Sequence, residues 1–326
     1  MAPSTESSNC IIRPATSLEE ATNTWWPLMQ TLGWNRARAD SKTHYTSTTS
    51  LTGAPGFLVA TSHSDPSKPQ GCILPIVYTN KTGWVGFFCL NASVRGLGWG
   101  GKLFQAALDQ FVKGSVEVVG LDAVQEQVGT YGRRGFVEME RGLVRLMGRP
   151  GMKEVPLKGT FEHVRGEGVR LVDLESVPVG VLVESDLACT GLERTGLWNR
   201  EALFERSDAF GFALVSEGAK DELEGWVLVR GCEEGFRFGP LYANSKDNAT
   251  LLLHQAMRRL EGKDGSFIAE VWPQNELACK VFEEAGWTNV GVDYHRMWLN
   301  GKVPAAQHPG GKADKEVYAI FDAGEG

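Results

Sequence analysis

The sequence lacks the paired cysteines and histidines that build metal sites and disulfide frameworks. Its six cysteines contain no Cys-x-x-Cys pair, and no two of its six histidines are three or four residues apart. A zinc site on a helix or in a ribbon is therefore not expected, and buried free thiols are the simpler interpretation. A Gly-x-Ser-x-Gly motif is also missing, which removes support for a serine hydrolase.

An excess of positive charge and a long apolar run are missing as well. The formal net charge is −7, and no basic stripe stands out, so nucleic-acid binding is not expected. No apolar run approaches the length of a membrane span, and the first ten residues lack the pattern of a signal peptide. We expect a cytoplasmic protein that does not bind a membrane. With 326 residues and 42% hydrophobic content, the chain has room for two domains.

A glycine-rich loop stands between a predicted strand and a predicted helix. The apolar run Trp84–Leu90 predicts a buried strand, and the segment Arg95–Gly101 predicts a turn before an amphipathic helix. The first amides of a helix have no partner within the helix and carry partial positive charge, so they can bind a phosphate group. Four glycines can also form a simple tight turn, and the loop alone does not separate the two.

The spacing in this loop is more informative than its glycine content. It is Arg95-x-x-Gly98-x-Gly100, which differs from the fingerprints of dinucleotide-binding and triphosphate-binding proteins. A predicted strand, 116–121, follows, and then Tyr131-x-x-x-Gly135-Phe. Loop, strand and tyrosine motif in this order resemble the GNAT superfamily of acyl-CoA-dependent N-acetyltransferases.

The resemblance implies that acetyl-CoA is the co-substrate and that no metal takes part. In that superfamily the strand before the loop separates from its neighbour, and its free backbone groups hold the pantetheine arm. Gly86 is a candidate for the bulge that such a separation needs. The cofactor-binding residues that the resemblance implies are Phe88, Cys89, Leu90, Arg95, Gly96, Leu97, Gly98, Trp99, Gly100, Gly101 and Tyr131.

The second half of the chain repeats part of the first. Phe282-x-x-x-Gly286-Trp lies 151 residues after the tyrosine motif. The corresponding loop, 244–249, contains no glycine, and its Asp247 would repel a diphosphate. We predict an α+β protein of two tandem GNAT-like modules, each with a mixed, mainly antiparallel sheet flanked by helices. Residues 1–150 form the cofactor-binding, catalytic module, 151–165 the linker, and 166–326 a degenerate module that is structural or lines the acceptor site.

Acyl transfer to an amine needs a base for the amine, donors for the oxyanion and a proton for the thiolate. Tyr131 suits the last role, as the resemblance implies, although it can also simply pack under the following turn. Asp122 can deprotonate or hold the amine, or it can cap the next helix. Glu126 and Glu270 remain alternatives for the base.

Acceptor-side residues are predicted in both halves. Trp34 and Asn35 follow a Gly turn in the position where a two-module subgroup lines the acceptor entrance, although Trp34 can equally be a packing residue. The other predicted acceptor residues are Gln125, Glu270 and Trp272. The predicted function is transfer of an acetyl group from acetyl-CoA to a primary amine of a small molecule, directly within a ternary complex. A protein lysine or N-terminal acceptor, or a non-catalytic acyl-CoA-binding sensor or scaffold, remains open. The protein is expected to be a monomer or a homodimer.

Overall fold

The computed structural model describes residues 9–49, 56–155, 169–216 and 222–326. The predicted linker 151–165 therefore lies mostly outside the described residues, because only 151–155 fall within them. Within the part of the chain that is described, we find no helix with the length and apolar character needed to cross a membrane.

The first half contains six strands and four helices among the described residues. Helix α1 begins after Ser17, whose hydroxyl accepts a hydrogen bond from the Glu20 amide at 3.1 Å, and it ends at Gly33 with φ 66°. These are the side-chain cap and the left-handed terminal glycine that favour helix ends at these positions. The elements are β1 (Cys10–Pro14), α1 (Leu18–Leu32), α2 (Asp40–Thr49), β2 (Leu58–Ser62), β3 (Gly71–Val77), β4 (Thr82–Leu90), α3 (Trp99–Lys113), β5 (Val118–Val124), α4 (Val128–Gly132) and β6 (Phe136–Arg149).

The second half repeats the order strand, helix, strand, helix, strand that ends the first. Helix α6 is capped by Ser245, whose hydroxyl accepts from the Asn248 amide at 3.2 Å. The elements are β7 (Val169–Asp173), α5 (Val179–Thr190), β8 (Ala209–Ser216), β9 (Leu223–Cys232), β10 (Gly235–Ala243), α6 (Lys246–Arg258), β11 (Ser266–Val271), α7 (Ala278–Glu284), β12 (Thr288–Leu299), α8 (Ala313–Glu316) and β13 (Val317–Ala319).

All thirteen of these strands form one sheet, in the order β1-β2-β3-β4-β5-β12-β6-β11-β13-β10-β9-β8-β7. Among the described strands, the parallel pairs are β4 with β5 and β10 with β11, one in each half. The α+β prediction of two modules with mixed, mainly antiparallel sheets is therefore confirmed. Four buried apolar clusters cover the two faces, and the cluster beneath α3 contains Leu103, Phe104, Phe111 and Tyr131.

The two halves exchange their long strands. Strand β12 of the second half pairs with β5 of the first, from Tyr294 opposite Val124 to Trp298 opposite Gly120. Strand β6 of the first half pairs with β11 of the second, from Phe267 opposite Arg149 to Val271 opposite Arg145. The predicted boundary at residue 150 therefore follows a strand that completes the sheet of the other half.

Strand β13 lies inside the sheet, between β10 and β11. Its Ala319 stands opposite Leu241 on one side and Val271 on the other. The apolar run 317–321 is therefore buried in the interior of the sheet. The parallel strands β10 and β11 separate after Phe238, and the three-residue strand fills the gap that they leave.

Candidate active site

The site begins where β4 and β5 part. They pair as parallel strands only from Thr82 to Trp84, opposite Val118 to Gly120. Strand β4 then bulges, because Phe87 and Phe88 lie together opposite Ile73, and Phe87 has φ +46°. The bulge was predicted at Gly86, one residue earlier. Gly86 has a different use, since a Cβ there would lie 2.2 Å from the carbonyl oxygen of Gly324.

The parted strands open a cleft with a cavity volume of about 430 Å³. Both halves of the chain contribute to its walls. The lining residues are Leu32, Trp34, Arg36, Val85, Phe87, Phe88, Cys89, Leu90, Arg95, Asp122, Val124, Gln127, Tyr131, Tyr294, Ala323 and Gly324.

The glycine-rich loop brings the start of α3 to the mouth of this cleft. Gly96 and Gly98 have φ values of 80° and 81°, which residues other than glycine rarely adopt. Gly98 is the N-cap residue of the helix. A Cβ on Gly100 would lie 3.1 Å from the Leu90 side chain, so the glycine lets the helix approach the end of β4. Arg95 donates from Nε to the Leu90 carbonyl at 3.2 Å, and its guanidinium is exposed.

Trp99, the first residue of α3, does not present its side chain to the cleft. It is 4% exposed and packs in the apolar cluster beneath the helix. The tryptophan is large and apolar enough to be drawn into the core. Of the predicted contacts of Trp99 with a cofactor, only one through its backbone amide is compatible with this geometry.

Tyr131 lies on the wall of the cleft, within a group of aromatic rings. Its ring centroid is 5.6 Å from Phe104, 6.4 Å from Phe136 and 6.5 Å from Phe88. Burial raises the pKa of the Tyr131 hydroxyl well above its ordinary value, and the group stays protonated. A protonated hydroxyl in this position can donate a proton or a hydrogen bond to a bound molecule.

Asp122 also lines the cleft, but both of its carboxylate oxygens are engaged. Arg296, on β12, donates from Nε at 2.8 Å and from a terminal nitrogen at 2.7 Å. Burial raises the pKa of this carboxyl above its ordinary value, and Arg296 opposes the rise. The predicted helix cap is not formed, since the turn after β5 has Val124 in the capping position. The geometry makes Asp122 the partner of Arg296, and a base role would require this pair to open.

Of the five predicted acceptor residues, Trp34 lies on the wall of the cleft and the other four do not. Asn35 accepts from the Glu234 amide through its side chain and from Arg237 through its carbonyl, each at 3.0 Å, so it links the two halves. Gln125 is exposed, and Gln127, two residues later, lines the cleft instead.

Glu270 and Trp272 are core residues. Glu270 is 1% exposed and pairs with Arg237 at 2.8 Å and with Arg36 at 3.4 Å. Trp272 is also 1% exposed, and its ring lies 4.8 Å from the Arg296 guanidinium carbon. Because the Glu270 carboxylate is ion-paired with buried arginines and the Trp272 ring packs against one, neither side chain is available to contact an acceptor.

The sequence did not point to several lining residues. Arg36 is buried, pairs with Asp322 as well as Glu270, and packs over the Phe87 ring at 5.6 Å. Tyr294 reaches the cleft because its strand lies beside β5, and burial raises the pKa of its hydroxyl to about 12. Arg36 follows Trp34 by two residues, so its proximity to a predicted site residue was the available signal. No comparable pattern marks Tyr294 or the pair Ala323–Gly324.

In the described part of the second half, the gap that corresponds to this cleft is closed. Strand β13 fills the gap between β10 and β11, and Ser245 already bonds a first-turn amide of α6. Phe282, which matches Tyr131, is fully buried and has no hydroxyl. Among the residues that the structure describes, no cluster of His, Cys, Asp and Glu side chains is suited to holding a metal ion.

The chain has a GNAT fold in two modules, and part of its second half matches the model of a GNAT acetyltransferase domain. The family model described as "Acetyltransferase (GNAT) domain" matches residues 182–309. A presumed acetyltransferase from Pyrococcus horikoshii is similar in structure over 98% of this chain and 96% of its own, with a TM-score of 0.71 and 22% identity. A tandem GNAT protein from the clavulanic acid biosynthesis pathway is similar over 89% of this chain and 97% of its own, with a TM-score of 0.59 and 14% identity.

A curated relative, the holothin acyltransferase of Pseudoalteromonas sp. (strain SANK 73390), is 25% identical over 194 residues. The aligned region covers 59% of this chain and spans 59% of the length of that relative. The predicted superfamily and the tandem arrangement are confirmed by these findings. The family model matches the second half of the chain, whereas the open cleft and the glycine-rich loop belong to the first half. The match thus identifies the domain type of the half that lacks an open cleft.

Proposed function

We propose that the protein transfers an acetyl group from acetyl-CoA to the primary amine of a small molecule, directly within a ternary complex. One observation carries this proposal. The end of β4 beyond its last β5 partner, Tyr131 and Arg95 of the glycine-rich loop line one cleft, and this loop leads into the start of α3. A phosphate-binding loop, a groove for an extended arm and a proton donor are the three parts that thioester aminolysis requires.

The cofactor would lie along β4. Its diphosphate would contact the amides from Gly98 to Gly101 and the exposed Arg95 guanidinium. Its pantetheine arm would pair with the side of β4 that faces away from β3, beyond the last β5 partner at Trp84. This is the binding mode in which an extended ligand adds a strand to an open sheet edge.

The chemical step follows from this placement. The amine nitrogen attacks the thioester carbonyl carbon, and the oxyanion that forms is stabilised by unpaired β4 amides. The C–S bond then breaks, the amide product keeps the acetyl group, and the thiolate takes a proton. Tyr131 is the donor, because burial keeps its hydroxyl protonated on the wall of the cleft.

The amine enters as a neutral base. Among the described lining residues, the carboxylate present is that of Asp122, and both of its oxygens bond to Arg296. Arg36, on the same wall, is already paired with Asp322 and Glu270, so the described lining offers an ammonium group no free carboxylate. The rings of Trp34, Phe87 and Tyr294 favour an acceptor with a flat apolar body. The excess proton of the tetrahedral intermediate leaves to water, and water returns a proton to the Tyr131 oxygen.

The test is calorimetric titration with acetyl-CoA, followed by assay of free CoA thiol over a panel of primary amines. We expect one binding site per chain and turnover with at least one amine. Tyr131→Phe should keep the Kd for acetyl-CoA within about twofold and lower kcat by about 100-fold or more. Tyr45→Phe is the control, because Tyr45 packs on Phe57 and does not line the cleft.

The outcomes separate the alternatives. Full activity in Tyr131→Phe would remove the acid role. Binding without turnover of any amine or peptide would favour a non-catalytic acyl-CoA sensor. Turnover of peptides in preference to free amines would favour a protein acceptor. No binding of acetyl-CoA would overturn the proposal.

A further inference from the structure

The segment 317–324 runs from the second half of the sheet into the cleft of the first half. Its first three residues form β13, which is bonded on both sides within the sheet. The Trp272 amide donates to the Tyr318 carbonyl at 3.1 Å, and the Ile320 amide donates to the Glu270 carbonyl at 2.9 Å. The strand therefore occupies in the second half the place that the first half leaves open between β4 and β5.

The segment then crosses the bulges of both parted strands. Gly239 lies in the bulge of β10, and a Cβ on it would be only 2.2 Å from the Ile320 carbonyl oxygen. Four residues after Ile320, the segment makes a second close approach. A Cβ on Gly86, beside the bulge of β4, would be 2.2 Å from the Gly324 carbonyl oxygen. Both close approaches require glycine, so the course of the segment is built into both strands.

Charged groups and hydrogen bonds hold the end of the segment in place. Asp322 is fully buried and pairs with Arg36, and the Ala323 amide donates to the Glu270 carboxylate. The Trp84 indole donates to the Ala323 carbonyl at 3.0 Å. Ala323 and Gly324 then form part of the cleft wall.

Gly324 is in tight contact with a ring that also lines the cleft. A Cβ on Gly324 would lie 2.3 Å from Cε2 and 2.4 Å from Cζ of Phe87. Phe87 is the bulge residue of β4, so its ring has little freedom to withdraw into the sheet. A side chain at position 324 must displace this ring toward the cavity or be excluded.

We propose that residues 317–324 determine acceptor specificity. Strand β13 fills the groove of the second half, and this anchorage fixes residues 322–324 as a rigid wall of the acceptor end of the cleft in the first half. The inference rests on the proposed function, because it assigns a role within that acetyl transfer. It assigns the acceptor pocket jointly to both halves and the cofactor groove to the first half alone.

The experiment compares kcat/KM for a slim amine, ethylamine, and a wide one, 2-naphthylmethylamine, in the native protein and in Gly324→Ala. We expect kcat/KM for the wide amine to fall at least about tenfold more than that for the slim amine, as a methyl group in a tight pocket commonly causes. The Kd for acetyl-CoA should stay within about twofold of the native value. Gly180→Ala is the control, since no atom lies within 4 Å of a Cβ at that position.

A second variant keeps the test informative if Gly324→Ala perturbs folding. In the double variant Phe87→Leu/Gly324→Ala, the smaller side chain at position 87 leaves space for the added methyl group. The ratio of kcat/KM for the wide amine to kcat/KM for the slim amine should therefore return toward its value in Phe87→Leu alone. An unchanged amine ratio in both Gly324 variants, with native protein that is active, would overturn the inference and leave the proposed function intact. Two equivalents of bound acetyl-CoA would also overturn it, because β13 would then not occupy the second groove. Absence of any binding or turnover in the native protein would instead reject the proposed function.

Discussion

Strands β4 and β10 are bulged at equivalent places. Phe87 and Phe88 of β4 lie opposite Ile73, and Gly239 and Pro240 of β10 lie opposite Leu228. Near its bulge each strand parts from its parallel neighbour, β4 after Trp84 and β10 after Phe238. In the first half the gap stays open and forms the cleft, whereas in the second half β13 fills it. The bulged and parted pair of strands is thus present in both halves, and an internal segment occupies the gap in one of them.

The loops that follow these strands differ in the same sense. The first ends in Gly98, which has a φ of 81° and provides no side-chain hydrogen bond to the first amides of α3. The second ends in Ser245, which bonds the Asn248 amide, followed by the acidic Asp247. A carboxylate at a helix start satisfies the dipole that would otherwise attract an anion. The second half therefore differs from the first in both its strand gap and its helix start.

The largest expected effect concerns Asp122, which depends on the exchange of β12 between the halves. Asp122→Asn leaves Arg296, whose side chain is 2% exposed, without its counter-ion. Removal of one partner from a buried pair costs about 3–5 kcal/mol, so the free energy of unfolding in urea should fall by that amount. Asp293→Asn, on the same strand, is the control and should cost about 1 kcal/mol or less, because its pair with Arg145 is partly exposed.

Activity distinguishes the two roles of Asp122. If Asp122→Asn left the unfolding free energy unchanged but lowered kcat more than about 100-fold, the carboxylate would be the general base. Equal costs for Asp122→Asn and Asp293→Asn would show that the pair with Arg296 does not stabilise the fold.

The next effect compares the two helix starts. Gly98→Asp places a carboxylate at the mouth of the open cleft, where it would repel the negatively charged diphosphate of acetyl-CoA. The positive φ of this position also disfavours a residue with a side chain. We expect the Kd for acetyl-CoA to rise about 100-fold or more, which is close to 3 kcal/mol. In the second half, Asp247→Gly should not create a second site, because β13 still fills the groove. A second equivalent of acetyl-CoA bound by Asp247→Gly would contradict this comparison.

The smallest expected effect is a pH dependence of the unfolding free energy that arises from a histidine in the second half. Helix α6 carries the buried His254, and α3 carries no histidine. Burial lowers the pKa of His254 to about 4, with a further contribution from Arg258. Below the ordinary histidine pKa of about 6.5 the unfolded chain takes up the proton first, so stability falls as the pH is lowered from about 6.5 to 4.

The expected loss at His254 is on the order of 2 kcal/mol over that interval. It should appear in urea unfolding at pH 6.5 and pH 4.5, and the loss should be smaller in His254→Gln. The exposed His308→Gln is the control and should keep the native pH dependence. A native slope retained in His254→Gln would assign the acid sensitivity to other groups.

Local patterns in the sequence predicted the parts of the site that a single segment forms. The spacing of Arg95, Gly98 and Gly100 predicted the loop, and the 151-residue repeat predicted the two modules. Phosphate-binding loops depend on backbone conformation over a few residues, and glycine positions encode that conformation directly.

The acceptor end was not predictable in this way, because it depends on strand pairing. Tyr294 enters the cleft through the exchange of β12, and Ala323 and Gly324 enter it through β13. Glu270 and Trp272 were predicted there as acceptor residues, yet both contact buried arginines in the core. An alternating apolar strand shows which face is buried but not which neighbour it will have.

The exchange of β6 and β12 also has a consequence during synthesis. When residues 118–149 leave the ribosome, β5 and β6 have been synthesised. Strand β12 (Thr288–Leu299), which lies between them in the sheet, follows about 150 residues later. At translation rates of about 5–20 residues per second, the first half spends roughly 8–30 seconds with an unpaired edge on β5. The nascent chain therefore exposes a strand edge that only its own distant segment can cover, and this interval is when it has most need of a chaperone.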